Sequence, residues 1–479
     1  MKSDEFRRCG YRAIDRLADY MEQLESDAVR PVLSQVSPGE IYAAIPDEPP
    51  MAPESFDQML ADLDRIVMPG ITHWRSPSFF GYFPANVSGP SILGELLAAG
   101  LAAQGMMWTT SPACTEVEMR MMDWLVTACG LPEHFRSSGP GGGVIQGSAS
   151  EAAVCAMIAA RKRRLPNEGD DSRLLCGYIS TQTHSSIEKG WKVLGFVPER
   201  LRKIETTADG SFDSAALATA MERDREAGLV PGFAVGTIGT TSTAAVDPIR
   251  RMGEICHENG AWLHVDGAYG GSAMVCPELR TMIDGLELAD SYCFNPHKWL
   301  LVNFDCDCFF VADRKPLNAA MSILPEYLRN AATESGTVID YRDWQIPLGR
   351  RFRSLKLWMT LRYYGLTGLR NFIRRKIELG NELAKLVAAS TDFELAAEPR
   401  LALVCFTHRG GDVATREILR RCNESGEMLL SHTICNVAGK PRYVIRMHTA
   451  SALTERTHMT KAWAKIEAVA ADLANQKRE

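Results

Sequence analysis

The run PIRRMGEICHENGAWLHVDGAY at residues 248–269 decides the fold. Pro248 to Asn259 reads as a helix closed by Gly260. Ala261-Trp262-Leu263-His264-Val265 then reads as a strand that ends on Asp266, followed by small residues. Helix, glycine, apolar strand and polar strand end together form the unit of a parallel sheet covered by helices. In open parallel sheets ligands sit beyond the carboxyl ends of the strands, so Asp266 is placed to meet one. Read alone, Asp266 is equally an aspartate that caps the next element.

The same rhythm extends in both directions. Leu174 to Ile179, Gly232 to Ile238 and Ser291 to Phe294 are strand-like. Helical stretches fall near 91–104, 114–129 and 149–163, with a glycine-rich loop at 139–147 before the last. The expectation is a mostly parallel sheet in a large α/β domain over residues 89–365. Upstream, residues 5–27 carry Phe6, Tyr11, Ile14, Leu17, Met21 and Leu24 at helical spacing. A proline-rich connection and a second helix near Ser55–Val67 follow. This arm, residues 1–88, has too little apolar surface to fold alone and is expected to pack on a partner subunit. Residues 366–479 read as a small α+β domain, with strand-like runs at Ala402–Phe406 and Arg442–Arg446 and a terminal helix near 453–475.

Composition removes several function classes. The 479 residues are 46% hydrophobic and 23% charged, which fits a globular chain of two or three domains. The net charge of -6 argues against a dedicated nucleic-acid binder, whose affinity rests on cations. The apolar stretch Ile92–Met107 is broken by Glu95 and Gln104 and is too short to span a bilayer. No secretory signal is read at the N-terminus, so the cytoplasm is the expected location. The 13 cysteines are scattered, and Cys306 and Cys308 have neither zinc-knuckle nor redox spacing. Reduced, mostly buried thiols and no metal site are expected.

Three further segments carry chemistry. Gly139 to Ala152 is a glycine-rich turn running into a helix whose start carries Ser148 and Ser150, as a phosphate site would. The same run is equally a glycine loop with a serine N-cap; it has neither a P-loop lysine nor a dinucleotide fingerprint. Lys298 follows the strand Ser291–Phe294 and is flanked by Trp299, Leu300, Leu301 and Val302. Desolvation there favours the neutral amine, the nucleophile of Schiff-base chemistry; the alternative is a lysine snorkelling to solvent. His184 follows another strand and either stacks on a flat ligand or is an ordinary loop histidine. The set says more than its members. A phosphate cradle, an acid for a ring nitrogen and an amine for an aldehyde, all on one sheet edge, are the needs of pyridoxal 5'-phosphate.

With these residues in view, the chain resembles the group II pyridoxal-phosphate-dependent decarboxylases, and among them the aromatic-L-amino-acid decarboxylases. The resemblance runs nearly end to end. It is carried by HWRSP at 73–77, FGYFP at 80–84, SPACTE at 111–116, GVIQGSASE at 143–151, FNPHKW at 294–299 and DYRDWQIPLGRRFR at 340–353. It implies the type I fold of pyridoxal-phosphate enzymes, with a seven-stranded sheet, and an obligate homodimer with shared active sites. It assigns Lys298 to the covalent link with the cofactor, Asp266 to the ring nitrogen, and His184 and Ala268 to the two sides of the ring. Ser148, Ala149, Ser150 and Asn295 match phosphate-binding positions. Thr241 and His297 match further cofactor contacts. Tyr327 matches a tyrosine on a mobile loop that protonates the product carbon from the partner subunit. The polar segment Leu324 to Gly336 reads as a closing lid.

Within that resemblance, Trp74, Tyr82, Phe83 and Pro84 match an aromatic substrate pocket. Met106 and Gly349 match specificity positions, with glycine at 349 leaning to indolic or broad acceptance. Asn86, with Ala85, and Met106 depart from the animal enzymes and are expected to reshape the pocket. Relatives that make aldehydes often replace the tyrosine by phenylalanine or the histidine by asparagine. Tyr327 and His184 therefore favour amine production. An aldehyde synthase and a non-catalytic paralogue are the alternatives; the aromatic pocket set argues against a glutamate decarboxylase.

Overall fold

The fold is that of a computed structural model, which describes residues 1–29, 31–167, 169–323, 328–437 and 439–476. Its larger sheet holds β1 (Gly142–Gln146), β2 (Leu175–Ser180), β3 (Leu201–Ile204), β4 (Val230–Thr237), β5 (Trp262–Asp266), β6 (Ser291–Phe294) and β7 (Asp307–Val311). The order is β1-β7-β6-β5-β4-β2-β3. Strands β2 to β6 pair in parallel, and β7 runs antiparallel to both β6 and β1. The expected mostly parallel, seven-stranded sheet is therefore present. Helices cover both faces, which is why β2 and β5 are buried along their whole length. Trp191, Trp262 and Trp299 are fully buried around the sheet, each worth roughly 1.5–3 kcal/mol or more of apolar transfer.

The glycine-rich segment is more than a loop. Gly142–Gln146 is an edge strand in register with β7, from Gly142 opposite Val311 to Gln146 opposite Asp307. Glycines permit the close packing: a Cβ on Gly141 would lie 2.0 Å from the Val311 carbonyl oxygen, and one on Gly143 would lie 2.6 Å from Met122. Buried Glu118 accepts from Ile145 N–H at 2.7 Å and pairs with buried Arg350, tying β1 to the segment that carries Gly349.

The smaller sheet is antiparallel. It holds β8 (Phe393–Leu395), β9 (Leu403–His408), β10 (Ser431–Val437) and β11 (Lys440–His448), in the order β10-β11-β9-β8. The helix Arg353–Ala389 joins the two sheets and breaks at Gly365, where φ is +60°. The N-terminal helix Ser3–Glu25 leaves Phe6, Tyr11, Ile14 and Leu17 exposed, with Leu24 buried. No helix among the described residues is long and apolar enough to cross a membrane. All 13 cysteines are unpaired, and every one but Cys9 is buried.

Candidate active site

The carboxyl ends of the parallel strands bring the expected residues to one edge. Asp266 ends β5, Asn295 follows β6 and leads into the short helix carrying His297 and Lys298, and Ser148 follows β1. His184 lies beyond β2 and Thr241 beyond β4. Because β7 is antiparallel, its first residue, Asp307, lies at this edge as well.

The Lys298 amine lies 5.4 Å from the centre of the Phe83 ring. That ring is stacked on Tyr269 at 3.7 Å, and Tyr269 stacks in turn on Trp299 at 4.7 Å. Burial in this aromatic layer pushes the amine below its ordinary value; Asp266 opposes the shift and Arg446 adds to it. A desolvated amine of lowered pKa is a nucleophile near neutral pH. Asp266 is buried, and its Oδ1 accepts the Ala268 N–H at 2.9 Å. That bond aims the carboxylate beyond the strand end.

His184 is held as a neutral ring. Its Nδ1 accepts the Ser186 N–H at 3.2 Å and lies 2.8 Å from Ser186 Oγ, which leaves the ring proton on Nε2. Burial lowers its pKa, Asp266 opposes the shift and Lys298 adds to it, so the three groups share one electrostatic neighbourhood. A cleft of about 580 Å³ opens beside it, lined by Thr241, Arg416, His432 and Tyr443 among others. Burial pushes His297 down to about 3, and its Nδ1 accepts the Cys306 N–H at 2.9 Å.

Ser148 is the N-cap of the helix Ala149–Arg164: its hydroxyl accepts the Glu151 N–H at 3.3 Å, and Glu151 accepts the Gly147 N–H at 3.1 Å. This is the serine-cap arrangement weighed for the run, and the start of a helix of this length is also an anion cradle. The two readings coexist at Ser148.

Other expected residues are placed differently. Trp74 and Tyr82 stack on each other at 5.7 Å but are 40% and 56% exposed, so their rings await a cover. Gly349 lines a separate cavity with Gln104 and Arg350, and the Met106 carbonyl accepts the Arg342 N–H. Neither is brought to Lys298 within one chain. Tyr327 lies outside the described residues.

The Asn86 amide is taken up by backbone groups. Its Nδ2 donates to the Ala450 carbonyl at 2.9 Å and its Oδ1 accepts the Ala452 N–H at 2.7 Å. Its own N–H donates to the Lys298 carbonyl at 3.2 Å, so it ties the C-terminal segment to the lysine's backbone. Asn86→Ala is expected to orphan two buried backbone groups and to cost about 1–3 kcal/mol. Urea unfolding checks this, and an unchanged midpoint would count against the tie.

Arg446 on β11 is a member of the site that pattern reading passed over. It donates to the Ser242 carbonyl at 3.0 Å and to Ser431 Oγ at 2.9 Å, and its guanidinium carbon lies 5.2 Å from the Phe83 ring. The available signal was an arginine inside the apolar run Tyr443-Val444-Ile445-Arg446-Met447.

These residues fit a phosphorylated pyridine aldehyde: a desolvated amine, a buried carboxylate, a helix start and a flat aromatic wall. Comparison with known proteins agrees. Residues 38–409 match the pyridoxal-dependent decarboxylase conserved domain. Phenylacetaldehyde synthase of Arabidopsis thaliana is 45% identical, covering 99% of this chain and 98% of that protein. Aromatic-L-amino-acid decarboxylase of Rattus norvegicus is 42% identical, covering 100% of both chains. The crystal structure of Oryza sativa TDC with PLP and tryptamine superposes with a TM-score of 0.95 at 39% identity, covering 99% of both chains. The cofactor is pyridoxal 5'-phosphate, and the chain belongs to the pyridoxal-dependent decarboxylase family.

Proposed function

We propose that the protein decarboxylates an aromatic L-amino acid, of the tryptophan, DOPA, tyrosine or phenylalanine class, to the arylalkylamine and CO2. The observation that carries this reading is the Lys298 amine held in an aromatic layer beside Asp266 and His184. Bound pyridoxal phosphate supplies an electron-accepting ring for the carboxylate-bond cleavage. The chain supplies the rest. Lys298 would hold the cofactor covalently and give it up to the substrate amine. Asp266 would keep the ring nitrogen protonated, and Ser148, Ala149, Ser150 and Asn295 would hold the phosphate. His184 would offer its Nε2–H to orient the substrate. Thr241, Ala268 and His297 complete the cofactor's surroundings.

The stacked Trp74 and Tyr82, with Phe83 and Pro84, suit a flat side chain. Gly349 lines a cavity with Gln104 and Arg350, and Ile346 and Leu348 beside it are 58% and 47% exposed. Both facts support a homodimer in which each copy completes the pocket of the other. Leu93, Leu96, Leu97 and Leu101 on the helix Gly89–Leu101 are exposed too, as the face of such an assembly would be.

A second reading, an aldehyde synthase, is favoured by the similarity to a phenylacetaldehyde synthase. The histidine and tyrosine distinguish the two. An acid that protonates the product carbon gives an amine, whereas an unprotonated carbon is open to oxygen. Incubation with tryptophan, tyrosine, DOPA and phenylalanine tests the proposal: amine and CO2 are expected, and stoichiometric peroxide and ammonia would overturn it. Tyr327→Phe is expected to divert at least half of the product to aldehyde, on the order of the effect of removing a general acid. Product analysis by chromatography checks this, and an unchanged amine fraction would remove Tyr327 from the assigned role.

A further inference from the structure

Asp307 is a carboxyl group with no role in the account so far. It opens β7, is fully buried, and neither of its oxygens has a hydrogen-bond partner. Its neighbours on the same sheet face deepen the problem. Gln146 is directly opposite in β1, and its Nε2 is committed to the Trp344 carbonyl at 2.7 Å, which leaves Oε1 buried and unpartnered. On the other side, β6 pairs Phe294 with Cys308; one step further the register brings Asn295 beside Asp307. Asn295 Oδ1 is likewise buried and unpartnered. Three acceptor groups therefore sit side by side on β1, on β7 and just after β6, and none of their four buried oxygens receives a donor.

Acceptors alone cannot satisfy one another; a proton can. Turning the Asn295 amide over would also supply a donor, but it would then aim the carbonyl oxygen at an anionic phosphate. We propose that Asp307 is a positioning residue of the phosphate cradle: as a neutral carboxylic acid it donates to Asn295 Oδ1 and so fixes that amide with its N–H groups toward the phosphate. The proposal rests on the reading of Asn295 as a phosphate ligand.

The surroundings favour the neutral acid. Burial is the largest influence, and Asp266 on β5, Cys306 and Glu151 on the following helix all raise its proton affinity; Lys298 opposes them. Cys155 and Cys293 also face this region, and burial keeps their thiols protonated. A carboxyl whose folded-state pKa is raised contributes stability that is fully present below its unfolded value. That stability is lost as pH rises through the folded value.

The test compares wild type with Asp307→Asn, which keeps a donor at every pH, and Asp307→Ala, which has none. Affinities are measured for pyridoxal 5'-phosphate and for pyridoxal, which lacks the phosphate. Asp307→Ala is expected to weaken the phosphate ester roughly tenfold while leaving pyridoxal unchanged, and Asp307→Asn to restore the preference. Equal losses for both ligands, or a folded Asn variant that fails to restore, would overturn the proposal. Isotope-edited infrared spectra of the cofactor-free protein give an independent readout. A protonated aspartic carboxyl band at neutral pH, absent in Asp307→Asn, is expected, and its absence in wild type would overturn the proposal. In the same cofactor-free proteins the urea midpoint of wild type should fall relative to Asp307→Asn as pH rises; a rise would mean an ionised Asp307. Wild-type protein that binds neither vitamer would sink the wider cofactor reading instead, and the infrared and stability measurements would still decide the state of Asp307.

Discussion

Lys298→Ala is expected to lower turnover by roughly 10⁴-fold or more, the scale seen when a covalent nucleophile is removed. The loss has two sources. The cofactor can no longer be held covalently, and the amine that exchanges it with substrate is gone. The fold is expected to survive. The lysine's backbone contacts, its N–H to the Asn295 carbonyl and its carbonyl to Asn86, do not involve the side chain. Removing a desolvated cation from beside Phe83 relieves a burial cost. The variant should therefore unfold at a urea concentration no lower than wild type while showing no turnover. Turnover within tenfold of wild type would remove Lys298 from the chemistry.

Asp266→Asn is the second large effect, a fall in turnover on the order of 10³-fold. This substitution separates charge from structure. The Asn carbonyl oxygen still accepts the Ala268 N–H that Asp266 Oδ1 accepts at 2.9 Å, so the turn after β5 is kept. What is lost is the anion that keeps the pyridine nitrogen protonated and the ring electron-poor. A neutral amide does not supply it. His184 adds a check: Asp266 holds its pKa up against burial, so the variant should lower the imidazole pKa further, measurable by NMR titration. A variant with unchanged turnover would show that the ring proton is held by another group.

Much of this site is legible in the sequence because its parts sit where apolar strands end. β2, β5 and β6 are short apolar runs buried on both faces, so His184, Asp266 and Lys298 stand out as polar residues just past them. β1 was not legible, because a strand built of glycines at its start has the composition of a loop; the partner that makes it a strand, β7, is 169 residues away in the Gly142–Val311 pair and 161 in the Gln146–Asp307 pair. β3 (Leu201–Ile204) is a four-residue edge strand with little apolar signal. Asn86 acts through backbone partners. Asn86 reaches Ala450 and Ala452 across the whole chain, a contact that no local pattern encodes. Asp307 is a different case. A carboxylate inside the apolar run Val302–Phe310 is visible in the sequence, but its meaning depends on Gln146 and Asn295 lying on either side of it.

The central claim is that one desolvated amine forms the covalent link to pyridoxal phosphate. The direct measurement is borohydride reduction of the loaded wild-type protein, followed by digestion and mass spectrometry of the lysine peptides. The pyridoxyl mass is expected on the peptide that contains Lys298. The same mass on another lysine, or on none, would contradict it.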